Sequence, residues 1–522
     1  MKTRAQYLDI LRTRIHWDII IIGGGATGLG AAVDAASRGF STLLVERDDF
    51  AKGTSSRSTK LLHGGVRYLA QGNFRLVLDA LKERGLLLKN APHVSSNRAF
   101  VIPVYKSWQK WYYAAGLIFY DLLAGRLGLG RTKVLSGAKT VALLPGLSKK
   151  NLKGGIVYRD GQFDDSRFAI NLAQTAAEQG AILINYCALD RLVKAGGRIS
   201  GVELTDRLSL ETFSAKATVV INATGVFADA VMAMDEPGKR AVIVPSQGVH
   251  IVVDKRFFSG DTALMVPSTS DGRVLFAVPW HDKVVVGTTD TARELVSNEP
   301  EPLQSEINFI LSNLNACLES TITDRDILSV FAGLRPLVKL SAVNKTALMP
   351  RDHSIFVSPA GLVTITGGKW TTYRKMAEEV IGKAVLVGGL HHSPCVTRGL
   401  KIHGWTLTDK PGPLSFYGAD LLILQDIYEE NPAWQALLHP DYPYTKGCVI
   451  LAVRNEMAMT VEDVLARRTR LLFLDARAAM AAAPTVISLM ASELNKNEEW
   501  ETAQGDAFAK VASKYLPAFT NP

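Results

Sequence analysis

A run of four isoleucines that stops at glycine constrains this chain most: Asp18-Ile19-Ile20-Ile21-Ile22-Gly23-Gly24-Gly25-Ala26-Thr27-Gly28-Leu29-Gly30. An unbroken β-branched run predicts a strand buried on both faces, as in a parallel sheet. Gly23, Gly25 and Gly28 then turn the chain tightly into a helix predicted over Leu29–Arg38. Gly25 lets backbone approach a pyrophosphate, Gly28 lets the helix pack close to the sheet, and the amides at the helix start attract the anion. Glu46 closes the next strand, Leu43-Leu44-Val45, eighteen residues past Gly28. A carboxylate there accepts both hydroxyls of an adenosine ribose. A glycine-rich turn with a surface glutamate does not explain this register. The elements together predict a dinucleotide site.

The 522 residues exceed one ordinary core, so two or three domains are expected. Cys187, Cys317, Cys395 and Cys448 are widely spaced and form no C-x-x-C pair, which disfavours structural zinc or a disulfide framework and points to a reducing compartment. No metal site is predicted. The first apolar run, Ile19–Ile22, is too short for a signal-peptide core, so secretion is not expected. A net charge of +9 suggests an anionic partner. No arginine-rich arm, zinc finger or RNP-like aromatic motif is present, which argues against nucleic acid.

Further strand–helix units follow. Gly155–Tyr158, Ala181–Tyr186, Ala217–Asn222 and Leu362–Thr366 read as strands of one sheet assembled from distant parts of the chain. Asp165–Gln179 and about Thr371 to Val387 read as helices. His250–Val253, Val274–Val278 and Val284–Gly287 read as antiparallel strands of a second sheet that covers a ligand. After Gly399 the pattern turns helical and reaches Arg467-Arg468-Thr469-Arg470, read as a separate domain.

The loop after the second strand runs Gly53-Thr54-Ser55-Ser56-Arg57-Ser58-Thr59-Lys60-Leu61-Leu62-His63-Gly64-Gly65-Val66-Arg67-Tyr68-Leu69. Its hydroxyls suit a flavin or its phosphates, and the His-Gly-Gly turn suits close passage along a flat ring. With this loop, Asp164-Asp165-Ser166-Arg167, Asn222-Ala223-Thr224-Gly225, Gly287-Thr288-Thr289-Asp290, Ala332-Gly333-Leu334-Arg335-Pro336-Leu337 and Gly367-Gly368-Lys369-Trp370-Thr371-Thr372-Tyr373-Arg374-Lys375, the chain resembles the FAD-dependent glycerol-3-phosphate dehydrogenases. The motifs keep the family's order from about Asp18 to Lys375.

The resemblance implies an α/β fold: a Rossmann-like FAD-binding domain of glutathione-reductase/amino-acid-oxidase type, an antiparallel-sheet substrate domain and a C-terminal helical domain. The expected division is 1–90, 151–240 and 352–398 for FAD; 91–150 and 241–351 for substrate; 399–522 for the helices. FAD is the implied cofactor, contacted by Gly23, Gly25, Gly28, Glu46, Thr54, Ser55, Ser58, His63, Gly64, Gly65, Ala223, Thr224, Gly225, Gly368, Lys369 and Thr371. The implied substrate, glycerol 3-phosphate, carries nearly two negative charges, which suits several bidentate arginines. Arg67, Arg335 and Arg351 occupy matching positions, with Tyr68 beside them. His250 matches a substrate-site histidine, and an imidazole titrating near neutrality suits a general base; the competing reading is a substrate ligand only. Lys369, with the amides of Gly367 and Gly368, adds positive potential where a flavin gains charge on reduction. His250, Arg335 and Lys369 form the expected catalytic set. Trp370 departs from the family's usual aliphatic residue and predicts a differently packed flavin edge.

Membrane quinone is the implied electron acceptor; an oxygen-reducing oxidase is the alternative, as is a non-catalytic flavin-binding module. Soluble oxidases of the family carry an insertion before the motif holding Arg335, whereas here forty-five positions separate Asp290 from Arg335. Trp108, Trp111, Tyr112 and Tyr113 precede an apolar run, Ala114–Leu123, flanked by Lys106, Lys110, Arg126 and Arg131. That run is too short to span a bilayer. It suits a helix lying on an anionic membrane surface through Leu117, Ile118, Phe119 and Leu122. A core or homodimer helix fits the same pattern. The expected location is cytoplasmic, peripheral on the inner face of the cell membrane.

Overall fold

The computed structural model describes residues 1–65, 69, 73–339, 352–407 and 412–517. Two sheets organise them. In the first, His16–Ile22 lies between the parallel strands Thr42–Val45 and Thr212–Asn222. Ile182–Ile184 extends one side and Val363–Gly367 the other, both parallel. Trp17 and Ile19 to Ile22 are buried on both faces, as the isoleucine run requires. The helix Ala26–Ser37 starts three residues earlier than expected, and its N-cap, Gly25, has no side chain to cap it. A Cβ at Gly28 would overlap the Gly23 carbonyl, so only glycine lets this helix begin so close to its strand. Helices Asp165–Glu178 and Tyr373–Gly388 pack on either side of it.

The second sheet centres on the long antiparallel pair Ile243–Asp254 and Ile327–Val338. Directly paired residues share a face. The register His250↔Phe331, Gly248↔Gly333 and Ser246↔Arg335 therefore puts His250 and Arg335 on one face. The alternate residues, Val249, Ile251 and Val253, point the other way into an apolar cluster with Ile307, Ile310 and Leu314 of the helix Gln304–Asn315. Period-two alternation thus separates a polar working face from a packed one.

Two expectations are corrected. Gly155–Tyr158 belongs to a longer strand, Gly154–Phe163, in the second sheet rather than the first; it pairs antiparallel with Ser95–Val104 along its whole length. The expected C-terminal helices are present, and they pack closely on the first sheet's domain: Val464, Leu465, Leu472 and Phe473 share one continuous core with Ile19 to Ile22. Arg467 and Arg468 are buried there and clamp Asp49, with Arg467 Nε 2.5 Å and Arg468 Nη2 3.0 Å from its carboxylate. Secondly, in the helix Ser107–Ala124, Leu117 faces the core with Ala114 and Tyr120. Trp108, Trp111, Ile118, Phe119 and Leu122 face outward, Trp111 and Leu122 each 72% exposed. Phe74 of the neighbouring helix extends this patch, its ring 6.1 Å from that of Phe119. Among the described residues, no helix is long and apolar enough to cross a membrane.

Candidate active site

One cleft runs between the sheets as two cavities that share Thr54, Pro336, Gly367, Gly368, Lys369 and Trp370 as walls. The first, about 290 Å³, is lined by Gly23 and Gly25 at the strand–helix turn, by Glu46, and by Ala223, Thr224 and Gly225. Glu46 accepts the amides of Gly24 (2.6 Å) and Asp48 (2.9 Å). Burial raises its carboxyl above the usual range, and those two amides oppose the shift. Two amides leave acceptor capacity on the carboxylate. Ser55 Oγ accepts the Ala26 amide at 2.9 Å, and the Asn222 side chain holds the Thr224 hydroxyl at 2.7 Å.

At the junction, the Trp370 indole donates to the Ser55 carbonyl at 2.8 Å. Its ring lies among Phe163, Phe168 and Tyr373, with centroids 5.4 to 5.9 Å away. The departure at this position is thus anchored in the core. The Thr371 hydroxyl lies 3.3 Å from the His63 amide and 3.4 Å from its carbonyl, tying the His-Gly-Gly turn to the Gly-Gly-Lys motif.

The second cavity, about 490 Å³, brings together His63, Gly65, Ser58, His250, Arg335 and Lys369. The His250 ring stacks on Phe331 at 4.9 Å, and its Nε2 lies 2.9 Å from the Thr59 hydroxyl. Burial, then the nearby charges of Arg335 and Lys60, hold the imidazole well below its ordinary value, contrary to the expected near-neutral titration. Arg335 donates to the Thr288 hydroxyl at 2.9 Å and lies 3.8 Å from Asp290. A Cβ at Gly248 would collide with this guanidinium, so glycine makes room for it.

Two expected contacts sit behind the walls. Gly28 packs against Gly23, and the Gly64 amide turns away to the Tyr120 hydroxyl. The Ser58 hydroxyl donates to Asp165 at 2.6 Å, and Lys60 bridges the same carboxylate at 2.7 Å. Arg67, Tyr68 and Arg351 lie outside the described residues. Sequence reasoning missed Phe331 as the platform under His250, and Thr288 and Asp290 as partners of Arg335. The Gly-Thr-Thr-Asp motif was the available signal for the latter two; nothing local marks Phe331.

A dinucleotide turn on a parallel sheet, sharing one cleft with the polar face of an antiparallel sheet, defines a two-sheet flavin-dependent oxidoreductase. The family described as FAD dependent oxidoreductase matches residues 18–374, and the C-terminal domain of alpha-glycerophosphate oxidase matches residues 363–501. The mitochondrial glycerol-3-phosphate dehydrogenase of Bos taurus is 40% identical over 98% of this chain and 75% of its own length. That of Saccharomyces cerevisiae is 37% identical over 98% and 91%. The solved structure of glycerol-3-phosphate dehydrogenase from Bacillus halodurans, complexed with FAD, is 29% identical, covers 99% of both chains and gives a TM-score of 0.81. The chain belongs to the FAD-dependent glycerol-3-phosphate dehydrogenase family, and its cofactor is FAD.

The residues present fit that cofactor. The helix start lies at one end, with Gly25, Ala26 and Thr27 lining the cleft, and Glu46 offers acceptor capacity nearby. The shared wall of Gly367, Gly368 and Lys369 leads directly into the polar cavity holding His250 and Arg335.

Proposed function

We propose that this chain oxidises sn-glycerol 3-phosphate to dihydroxyacetone phosphate and passes the electrons to membrane quinone. The observation that carries the reading is the convergence of His250, Arg335 and Lys369 on one cavity continuous with the cofactor cleft. Arg335 binds the phosphate, and its preset fork suits bidentate recognition. By family resemblance, Arg67 and Arg351 add to the clamp. His250, neutral and held flat on Phe331, accepts the C2 hydroxyl proton. Bound FAD supplies the acceptor for the hydride that leaves C2. Lys369 contributes positive potential at the wall shared by both cavities.

The acceptor reading draws support from the short connection between Asp290 and Arg335, which holds no inserted domain. The exposed aromatic and apolar face of Ser107–Ala124 supports docking on an anionic membrane surface; by family resemblance that surface is the cytoplasmic side of the cell membrane.

An anaerobic absorption spectrum before and after glycerol 3-phosphate tests the chemistry. Bleaching of the visible flavin band is expected; an oxidised spectrum after saturating substrate overturns the reading in favour of a non-catalytic flavin module. Reoxidation of the reduced protein by a quinone in vesicles, compared with oxygen, then separates dehydrogenase from oxidase.

A further inference from the structure

Tyr120 lies on the inner side of the Ser107–Ala124 helix and is fully buried. Its hydroxyl accepts the Gly64 amide at 2.7 Å and donates to Asp160 Oδ2 at 2.9 Å. Asp160 Oδ1 in turn accepts Arg84 Nη1 at 2.7 Å, and all three side chains are buried. A Cβ at Gly64 would sit 2.7 Å from the phenol oxygen, so this approach needs glycine. The neighbours His63 and Gly65 both line the cavity that holds His250. Thr371 grips the same turn from the opposite side.

The bonding admits one arrangement. Burial raises the Tyr120 phenol well above its usual value, reinforced by the charge of Asp160. The phenol keeps its proton and donates it in a hydrogen bond to the carboxylate, which leaves a lone pair to accept the Gly64 amide. Arg84 fixes the carboxylate, the carboxylate fixes the phenol, and the phenol fixes the turn.

We propose that Tyr120 is a positioning residue for the reaction: it sets the His63–Gly65 wall of the active cavity from behind, through the Gly64 amide. The inference rests on the proposed chemistry for its rate readout, while two other readouts stand without it. Tyr120→Phe keeps the ring in its packing cluster with Val77 and Leu81 and removes only the bonding oxygen. Val77→Ala loosens the same cluster without touching that oxygen.

Holoenzyme of each variant is followed by anaerobic flavin reduction with glycerol 3-phosphate, by the visible flavin spectrum and by hydrogen exchange at Gly64. Tyr120→Phe is expected to slow reduction at saturating substrate by roughly ten- to hundredfold, with KM within about twofold. It is also expected to shift the flavin band and speed Gly64 exchange. Val77→Ala is expected to lower Tm while keeping rate, spectrum and Gly64 protection. A Tyr120→Phe protein with wild-type rate and spectrum overturns the proposal, as does a Val77→Ala protein that loses as much rate. If wild-type flavin is not reduced by this substrate, the proposed chemistry fails. The flavin spectrum and Gly64 exchange of Tyr120→Phe then decide the positioning role alone, and wild-type values in both overturn it.

Discussion

The Thr59 hydroxyl sits 2.9 Å from His250 Nε2 while Phe331 covers the imidazole face, so one hydrogen bond and one stacking contact fix the ring. Burial and the charges of Arg335 and Lys60 keep that ring neutral far below its ordinary value of 6.5. In the free protein kcat/KM is therefore expected to show no histidine-like break between about pH 6 and 8. His250→Asn is expected to slow anaerobic flavin reduction by roughly 10²–10⁴-fold. A break near pH 6.5 that vanishes in His250→Asn would show the ring titrating like an exposed histidine. The same depression has a stability sign. The unfolded chain takes up this proton below about 6.5 and the folded chain does not, so the His250 contribution falls as pH drops through that value.

Arg335 reaches its position because Gly248, diagonal to it on the paired strand, has no side chain. Arg335→Ala is expected to weaken substrate binding roughly ten- to hundredfold, at about 1.5–3 kcal/mol for each lost charge-assisted bond. FAD should stay bound, because the guanidinium faces the larger cavity. Arg335→Lys should fall between, keeping charge without the fork. Arg351→Ala is expected to act in the same direction. Substrate affinity read from flavin spectral titration checks this, and wild-type affinity in both alanine variants dismantles the clamp.

The outward face of Ser107–Ala124 gives a third expectation. Trp111→Glu with Leu122→Glu, or reversal of Lys106, Lys110, Arg126 and Arg131, should release the protein from anionic vesicles. Each basic residue near such a surface contributes about 1 kcal/mol. Flavin reduction by substrate should persist in these variants. Leu117→Glu should instead unfold the region, because Leu117 is buried. Vesicle flotation decides: if wild-type protein stays unbound at low salt, the face belongs to another contact.

How much of this was legible follows from range. The dinucleotide turn is local: strand, glycines, helix and Glu46 lie within thirty residues, and each declares itself by shape or charge. The alternation in His250–Val253 likewise reveals a half-buried strand. Its partner strand, Ile327–Val338, sets which residues face His250, and no local pattern announces that register. Gly155–Tyr158 shows the limit plainly, since a short apolar strand reads alike in either sheet. Leu117 was misassigned because an unbroken apolar run hides which side of the helix meets the core. The role of Arg467 and Arg468 was invisible for a different reason: consecutive arginines look like a solvated surface until a distant carboxylate is placed between them.

That carboxylate supports a fourth expectation. Burial alone pushes Asp49 up, yet Arg468 and Arg467 hold it down at about 2. Arg468→Met should cost about 3–5 kcal/mol, the penalty for leaving a buried charge short of its partner. Asp49→Asn combined with Arg468→Met should cost less than the two single changes summed. Urea unfolding of the four proteins measures the coupling. Additive losses would mean that Arg468 and Asp49 do not act as a coupled pair.

Asp49 is separated from Arg467 and Arg468 by 418 and 419 residues. At about 5–20 residues per second, a ribosome needs roughly 20–80 s to travel between them. Throughout that interval the nascent chain carries a carboxylate destined for the interior with no counter-charge to meet it. The nucleotide turn can take shape early, but its surroundings cannot close until the last part of the chain emerges. Translation that stops short of Arg467 leaves Asp49 without either of the guanidinium groups that hold it in the complete chain.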